Sequence, residues 1–529
     1  MKKNLRLTLA LSLLLLFLPL QSWGQKDGPQ LAKDKARQLL EEWRAAEALK
    51  LARDHLASAP KDAEAMEIVA EALYNLGRYE ESLSSYDRIS SVSQTDERRL
   101  SMRLLVQQTL DVVRPYKTYR SPHFELLLDP GADAILAEYA LETLERTRDW
   151  MERELGFAAG DRVRVEILPD SKSFNAVSTL SLRDIEVTGA VGLCKFNKIM
   201  LLSPRALVRG FRWLDSLSHE YAHYAIVFLT RNKAPIWLHE GMAKYEETRW
   251  RDPDLDYLGP ASQTLLARAL KRDRFVGFKK MDPSLVNLET PEEVQQAYAE
   301  AASAIEFIID KNGRARLREF LTAVGTEGET GKAMQVVFGL SFSEFEADWK
   351  KFLQAKRLLE SEGMSVRQYK VKDASKPLDE EAVELAEIRS LVARNRAQLG
   401  DRLLARGMLP GAYWEYQRAK EASPGSALLL NKLGRVQLQL NRHEEALNSF
   451  RAALKIDPDY GAAHVNLGNL YFRMGDLRLA KEALLEAVAI NPFDPSVHAL
   501  LGKIFKSLGD EERARKEEGI ARDLINRKG

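Results

Sequence analysis

HEYAH at residues 219–223, followed by PIWLHEGMA at residues 235–243, is the stretch that decides the fold of the central part of this chain. Residues four apart on a helix share a face, so His219 and His223 can direct two imidazoles at one metal ion with Glu220 beside them. A catalytic zinc needs a third protein ligand and keeps one position open for water, and Glu240 is the candidate for that ligand. The pattern therefore predicts one Zn²⁺ per chain.

Two neighbouring helices are predicted to carry these motifs. Between Phe211 and Thr230, apolar residues recur at spacings of three and four, which is typical of a helix with a buried face. Residues 231–233 form a polar turn, and Pro235 is suited to begin the second helix because its missing N–H costs nothing in a first turn. The connection is short, so the two helices are expected to pack together and converge on one ion.

The combination of HExxH with W-L-x-E-G-x-A resembles the gluzincin metallopeptidases, especially the compact bacterial peptidase-MA-like domains and more distantly the M1 aminopeptidases. The resemblance implies that Glu240 is the third zinc ligand and that Glu220 is the general base of peptide-bond hydrolysis. It continues at residues 297–308, where it implies that Tyr298 donates a hydrogen bond to the oxyanion of the tetrahedral intermediate. An α+β, zincin-like metallopeptidase domain is therefore expected.

One position departs from that family pattern. Many relatives have an acidic residue four positions after the third ligand, where it accepts a hydrogen bond from a zinc-bound histidine, whereas this chain has Lys244. A lysine offers no acceptor, so another residue must take that role. Asp215 and Glu247 are both candidates, and the sequence does not choose between them.

A small sheet is predicted before the zinc-binding helix. Residues 124–128 and 163–168 are short apolar runs bounded by Pro and Asp, as strands are. Residues 188–202 are predicted to form a hairpin or an edge strand. By the family resemblance such an edge binds the substrate backbone by strand addition, although an ordinary sheet edge fits equally well. The motif with which M1 enzymes hold a free amino terminus has no match here, which favours an endopeptidase.

The first 24 residues have the pattern of a secretory signal peptide. Three basic residues within the first six precede an apolar run over residues 7–20, and small residues occupy the two cleavage-determining positions. The run is too short for a comfortable transmembrane span, and no other long apolar stretch follows. The mature chain is therefore expected to be exported, soluble and, in a bacterium, periplasmic or extracellular.

Charge and cysteine content limit the other classes. The chain has 78 basic and 77 acidic residues, and the predicted signal peptide carries three of the basic ones, so nothing indicates a nucleic-acid partner. Cys194 is the only cysteine, which rules out an intramolecular disulfide. Burial across two or three domains must therefore stabilise the fold.

A period of 34 residues marks the C-terminal part of the chain. It aligns Gly400, Gly434, Gly468 and Gly502, then Ala412, Ala446, Ala480 and Ala514, and also Pro424, Pro458 and Pro492. This is the register of tetratricopeptide repeats, in which small residues let the two helices of a repeat cross closely. An all-α solenoid of about four repeats is predicted for residues 393–526.

Residues 25–112 show a fainter form of the same pattern. Ala36, Ala48 and Pro60 hold the corresponding positions of one repeat, so repeat-like helical hairpins are predicted, with generic helical packing as the alternative. The peptidase-like domain is assigned to residues 113–360, and a linker or helix to residues 361–392. The predicted fold class is thus an α+β domain flanked by all-α tetratricopeptide-repeat solenoids.

The concave groove of such a solenoid commonly binds a peptide. Polar residues of the first helices are predicted to line it and to hold an acidic or carboxylate-ended peptide, namely Asn431, Arg435, Asn466, Asn469 and Lys503. Deletion of residues 385–529 is then expected to lower activity on a protein substrate and to spare a short peptide.

Two hypotheses of function follow. The first is an exported zinc peptidase, in the endopeptidase class, whose repeats recruit protein substrates or protein partners. The second is a non-catalytic periplasmic repeat scaffold whose peptidase-like domain binds partners without turnover. The complete set of metal ligands, base and tyrosine favours the first hypothesis. Lys244 is the feature that leaves room for the second.

Overall fold

The computed structural model describes residues 28–526, apart from residues 93–95, 179, 362–365, 367–368, 373–382, 384 and 387. The predicted signal peptide and much of the predicted linker at residues 361–392 lie outside the described residues. No described helix is both long enough and apolar enough to cross a bilayer. Along the chain, a helical region comes first, a mixed α/β region follows, and paired helices come last.

The N-terminal region, called the N-terminal arm below, consists of helices that pack against their neighbours in sequence. They are α1 (Gly28–Glu41), α2 (Ala45–Ser58), α3 (Ala63–Asn75), α4 (Tyr79–Val92) and α5 (Glu97–Val113). Asp62 begins α3 by accepting hydrogen bonds from the backbone N–H groups of Glu64 and Ala65. Ala36 and Ala48, which the repeat pattern aligns, are fully buried between the first helices.

A mixed sheet follows the arm. Its strands are β1 (Lys117–Arg120), β2 (Phe124–Leu128), β3 (Val163–Leu168), β4 (Gly192–Lys195) and β5 (Lys198–Leu202). They lie in the order β1-β2-β3-β5-β4, with β2, β3 and β5 parallel and with β1 and β4 antiparallel to their neighbours. β3 and β5 are buried along almost their whole length, which accounts for their mostly apolar sequences. β4 is an edge strand and forms a hairpin with β5, so the predicted hairpin and the predicted edge are one element.

Helices cover this sheet and complete the central region. They are α6 (Leu136–Leu155), α7 (Ser171–Ser178), α8 (Leu182–Thr188), α9 (Trp213–Leu229), α10 (Ile236–Glu246), α11 (Pro260–Arg272), α12 (Phe278–Met281), α13 (Pro291–Glu327), α14 (Thr330–Phe338) and α15 (Phe342–Ala355). α9 and α10 are the two predicted motif helices, and Pro235 immediately precedes α10. α9 packs against β4, β5 and α6, while α10 packs between α9 and α13.

The C-terminal region, called the C-terminal array below, contains four helix pairs. Its helices are α16 (Leu391–Ala405), α17 (Leu409–Ala422), α18 (Ala427–Gln439), α19 (His443–Ile456), α20 (Gly461–Met474), α21 (Leu477–Ile490), α22 (Pro495–Ser507) and α23 (Glu511–Asn526). A Cβ on Gly400, Gly434 or Gly468 would lie 2.5 or 2.6 Å from the side chain sixteen residues later. The 34-residue glycine period therefore records the close crossing of the two helices in each pair.

The C-terminal array packs directly on the metal-motif helix α9. The indole N–H of Trp213 donates a hydrogen bond to the Val488 carbonyl at 3.2 Å, and the backbone N–H of Phe211 donates one to the Ile490 carbonyl at 3.1 Å. One continuous hydrophobic core runs from the sheet through α9 into α19–α23. Removal of residues 385–529 would expose this core, which argues against the expectation that the shortened chain still cleaves a short peptide.

The N-terminal arm is fixed to the opposite face of the sheet by a buried polar cluster. The Tyr79 hydroxyl on α4 donates a hydrogen bond to Glu166 on β3 at 2.5 Å. Nζ of Lys198 on β5 lies 2.8 Å from the Glu166 carboxylate and 2.9 Å from the Tyr79 hydroxyl. All three side chains are almost fully buried, and Arg164 also donates a hydrogen bond to Glu166 at 2.9 Å, so the buried carboxylate is fully partnered.

Candidate metal centre

α9 and α10 bring the three predicted metal ligands together. His219 and His223 lie one turn apart on α9, and Glu240 lies on α10. Nε2 of each histidine is 3.5 Å from Oε2 of Glu240. One ligand atom from each residue lies within 4.8 Å of the other two, and this is the only such group of potential ligands in the described part of the chain.

The donor set fits a zinc ion better than it fits internal hydrogen bonding. Oε2 of Glu240 is buried and has no hydrogen-bond partner among the described residues, because 3.5 Å is long for an N–H···O bond. Two ligand atoms about 2.0 Å from a tetrahedral zinc would lie roughly 3.3 Å apart. This is close to the 3.5 Å between Oε2 of Glu240 and Nε2 of each histidine. Two imidazoles and one carboxylate are also ligands that zinc accepts. The residues present therefore suit this metal.

The cluster attracts positive charge. Burial acts to lower the pKa of His219, but the carboxylates of Glu240 and Glu247 outweigh it and raise this pKa to about 10. Burial acts to raise the pKa of Glu240, yet the His223 and His219 imidazoles hold it well below its usual range. The group thus binds a proton readily, and a metal cation would take the place of that proton.

Glu220 lies beside the metal cluster and is 6% exposed. The backbone N–H of Cys194 on β4 favours the ionised form of this carboxylate, while its Oε2 has no hydrogen-bond partner among the described residues. Burial raises the pKa of Glu220 above its ordinary value, although His223 and His219 oppose that shift. A raised pKa and an available oxygen suit a group that accepts and returns a proton.

Gly192 on β4 lies directly against the Glu220 carboxylate. A Cβ at this position would come within 2.5 Å of Oε1 of Glu220. The carboxylate can occupy its observed position because glycine has no side chain. No sequence motif marks Gly192 as functional. The only available signal was its location in an edge strand next to the zinc-binding helix.

The structure distinguishes the two candidates for the residue that supports a metal-binding histidine. Oε2 of Glu247, directly after α10, lies 3.1 Å from Nδ1 of His219. Its other oxygen accepts a hydrogen bond from Nζ of Lys244. Asp215 instead accepts hydrogen bonds from the side chains of Trp250 and Arg251. Glu247 therefore supplies the acceptor for His219, three positions after the acidic residue of the family pattern, and Lys244 holds Glu247 in place.

Replacement of Glu247 with alanine should weaken zinc binding by roughly 10–100-fold, because His219 would lose the group that fixes its ring and its tautomer. The affinity is measured by competition with a chelator on the purified chain. The matched control is Asp252→Ala, which removes an exposed carboxylate just after α10. Equal affinities for the Glu247→Ala variant and the unmodified chain would contradict this role.

Tyr298 on α13 lies next to the metal cluster. Its ring centre is 6.3 Å from that of His219. Burial raises the pKa of Tyr298, and the carboxylates of Glu240 and Glu220 raise it further, so the hydroxyl stays protonated and able to donate. α13 approaches α10 closely because residue 241 is glycine, where a Cβ would lie 2.5 Å from the Ala301 carbonyl oxygen.

The metal cluster lies in a cavity of about 3110 Å³. All three regions of the chain supply its walls. The N-terminal arm contributes residues of α1, α3 and α5, the central region contributes β4, α9, α10 and α13, and the C-terminal array contributes the loops at residues 423–428 and 456–460. The array therefore presents its connections between repeats to the metal cluster.

The predicted groove residues do not line this cavity. Asn431 is only 3% exposed, and its Oδ1 accepts a hydrogen bond from the Asn466 side chain at 2.8 Å. The Asn469 amide donates to a carbonyl of its own helix. Arg435 and Lys503 are exposed. The prediction of a free polar lining is therefore wrong for Asn431, whose amide is buried against the next repeat.

An ion-pair cluster that the sequence analysis missed joins the array to both metal-binding helices. Arg212, at the start of α9, pairs with Asp459 and with Glu486 of the array. Arg251, shortly after α10, pairs with Asp215 at 2.9 Å and with Glu486 at 3.3 Å. Asp459 and Glu486 are more than 230 positions from the arginines they pair with, so no local pattern connects them.

Comparison with known families agrees with this division of the chain. Residues 160–355 match the family model described as Peptidase MA superfamily. Residues 33–91 and 397–461 match one tetratricopeptide-repeat model, and residues 437–504 match another. The chain contains a Peptidase MA superfamily domain and tetratricopeptide repeats. The predicted repeats are thereby confirmed at both ends, and the Peptidase MA match includes α9, α10 and α13.

Individual proteins match only parts of the chain. "Inactive TPR repeat-containing thioredoxin TTL3" of Arabidopsis thaliana is 33% identical over 84 residues, which are 16% of this chain and 12% of that protein. "Small glutamine-rich tetratricopeptide repeat-containing protein 2" of Mycosarcoma maydis is 31% identical over 77 residues, 15% of this chain and 22% of that protein. The chain thus spans less than a quarter of the length of either relative.

Among solved structures, a crystal structure of MamA is 20% identical and covers 28% of this chain and 86% of its own, with a TM-score of 0.25. The first TPR of Spaghetti (RPAP3), bound to the HSP90 peptide SRMEEVD, is 20% identical and covers 23% of this chain and 97% of its own, with a TM-score of 0.23. Neither likeness is close enough to bear on the metal cluster.

Proposed function

We propose that this chain is a zinc-dependent peptidase that hydrolyses peptide bonds inside a polypeptide. The observation that carries the proposal is the cluster of His219, His223 and Glu240 with the buried carboxylate of Glu220 at its side. The Peptidase MA match over residues 160–355 supports it, since that segment contains all four residues.

His219, His223 and Glu240 would hold the zinc ion. When bound, zinc supplies Lewis-acid activation of the scissile carbonyl and lowers the pKa of water toward neutrality. The Glu220 carboxylate accepts a proton from the attacking water and returns it to the nitrogen of the leaving amine. The Tyr298 hydroxyl donates a hydrogen bond to the oxygen that becomes negative in the tetrahedral intermediate. Gly192 leaves the space in which the Glu220 carboxylate sits.

The cavity supports a peptide rather than a small molecule as the substrate. Its volume of about 3110 Å³ exceeds the roughly 300–1,000 Å³ typical of small-ligand pockets. The free edge of β4 lies along the cavity next to Glu220, where an extended chain could pair with it by strand addition. An extended segment within a longer chain fits such a site, in keeping with an endopeptidase.

The repeats and the N-terminal segment complete the proposal. Tetratricopeptide repeats suggest contacts with other proteins, so the C-terminal array would recruit protein substrates or an assembly partner. The predicted signal peptide at residues 1–24 supports a periplasmic or extracellular location for the mature protein of a bacterium.

Elemental mass spectrometry of purified residues 25–529 should find about one zinc per chain, and Glu240→Ala should lose it because only two ligands remain. The matched control is Glu319→Ala, an exposed glutamate of α13 far in sequence from the cluster. Circular dichroism would verify that each variant is folded. Absence of zinc from the folded, unmodified chain after loading and dialysis would refute the peptidase and leave the repeat scaffold.

A further inference from the structure

Lys195 is the last residue of the edge strand β4 and lines the cavity that contains the metal cluster. Its side chain is half-buried, with Nζ 4.9 Å from the ring centre of Phe196. No carboxylate among the described residues forms an ion pair or hydrogen bond with it, and burial alone lowers the pKa of Lys195. Lys198, its neighbour across the hairpin, is by contrast paired with Glu166 at 2.8 Å.

Three other cations that line the cavity already have carboxylate partners. The pairs are Arg212 with Asp459 and Glu486, Arg251 with Asp215, and Lys244 with Glu247. A partly buried ammonium without an opposite charge is unfavourable. A carboxylate that arrives with a ligand can therefore pair with Lys195 without displacing an existing partner.

The pleat of β4 determines which side of a bound peptide Lys195 would meet. Gly192 and Cys194 face α9, as the contact of Gly192 with Glu220 shows. Side chains alternate along a strand, so Lys195 points to the opposite face. That is the face of the N-terminal arm, where Phe196 packs against Tyr74 at a ring-centre distance of 5.2 Å.

A peptide strand added to the free edge of β4 would alternate in the same way. Its residue across from Lys195 would have its Cβ roughly 5 Å away, within reach of a lysine side chain. We propose that Lys195 forms a subsite for a carboxylate of an extended peptide, supplied by an Asp or Glu side chain or by the peptide's C-terminus. This subsite rests on the proposed function, since it lies in the same cavity.

The test measures binding by the full chain carrying Glu220→Gln, so that no probe is consumed. The probes are four fluorescein-labelled octapeptides. Three have an amidated C-terminus and alternate Ala with Glu, with Gln or with Lys. The fourth alternates Ala with Gln and has a free C-terminal carboxylate. Alternation puts every Glu on one face in any register. Fluorescence anisotropy should show roughly tenfold tighter binding of the Glu peptide than of its Gln counterpart, as expected for a charge-assisted bond.

Lys195→Met should remove this difference, and Lys195→Glu should reverse it in favour of the Lys peptide. The matched control is Lys172→Met, an exposed lysine of α7 outside the cavity, which should keep the preference. A gain confined to the free-carboxylate peptide, and lost in Lys195→Met, would assign the subsite to the C-terminus of the substrate.

Equal binding of all the probes, or a Glu preference that survives Lys195→Met, would overturn the subsite. The proposed peptidase fails by a different result, namely no bound zinc or no hydrolysis by the unmodified chain. Because binding is measured without turnover, the two failures are distinguishable.

Discussion

Glu220→Gln should lower hydrolysis of a quenched fluorescent unfolded protein by a factor of roughly 10²–10⁴ and leave about one zinc bound per chain. Glutamine matches glutamate in size, so it still fits between α9 and Gly192. It cannot accept a proton from water at neutral pH. Turnover is therefore lost without loss of the metal ligands.

The decisive measurement pairs the hydrolysis rate with the zinc content of the same preparation. Glu319→Gln, which changes an exposed carboxylate of α13, serves as the control and should behave like the unmodified chain. Full activity of the Glu220→Gln variant would remove Glu220 from the mechanism. Loss of zinc together with activity would show instead that the substitution disturbed the ligands.

Deletion of residues 385–529 should abolish hydrolysis of a protein substrate and of a short peptide alike. The C-terminal array shares one hydrophobic core with the sheet and α9, so the shortened chain would expose apolar surface that the intact chain buries. The free energy of unfolding should fall by more than about 5 kcal/mol, which is comparable with the whole stability of a typical domain. Solubility and thermal unfolding of the shortened chain measure this effect.

A point substitution tests the same interface in the intact chain. Gly210 has a φ of +64°, and a Cβ there would lie 2.2 Å from the Ile490 carbonyl oxygen. Gly475 has a φ of +83°, but a Cβ there would meet nothing within 4 Å. Gly210→Ala and Gly475→Ala share the left-handed backbone cost of about 1–2 kcal/mol, so any larger effect at position 210 reports the lost contact with the array.

The expected result is a lower unfolding midpoint and lower zinc retention for Gly210→Ala than for Gly475→Ala. The two regions would instead be independent if both substitutions shifted the midpoint equally and the shortened chain still hydrolysed a short peptide. That outcome would restore the separable array expected from the sequence.

Local patterns in the sequence predicted local structure well. The runs at residues 124–128 and 163–168 became β2 and β3 with the same bounds, because an apolar run between Pro and Asp residues has few alternatives to a buried strand. The helix expected between Phe211 and Thr230 is observed as α9 over Trp213–Leu229. The spacing of His219 and His223 similarly required only helical geometry.

Contacts between distant segments were beyond such patterns. Asp215 and Glu247 are both acidic and both near the motif in sequence, and only the packing of α10 shows that Glu247 meets His219. The orientation of the C-terminal array depends on pairs such as Arg212 with Glu486, which a repeat period does not encode. The repeat period assigns Asn431 to the first helix of a repeat, but it does not show that the next repeat buries this side chain.

Gly192 has a consequence at the level of the gene. Every missense change of a glycine codon adds at least one carbon to the side chain, and here that carbon would meet Glu220. The atoms it meets first belong to the end of a flexible side chain, which can turn aside without unfolding the protein. A selection for abundant, folded protein would therefore accept such an allele, whereas a selection for the proposed chemistry would reject it.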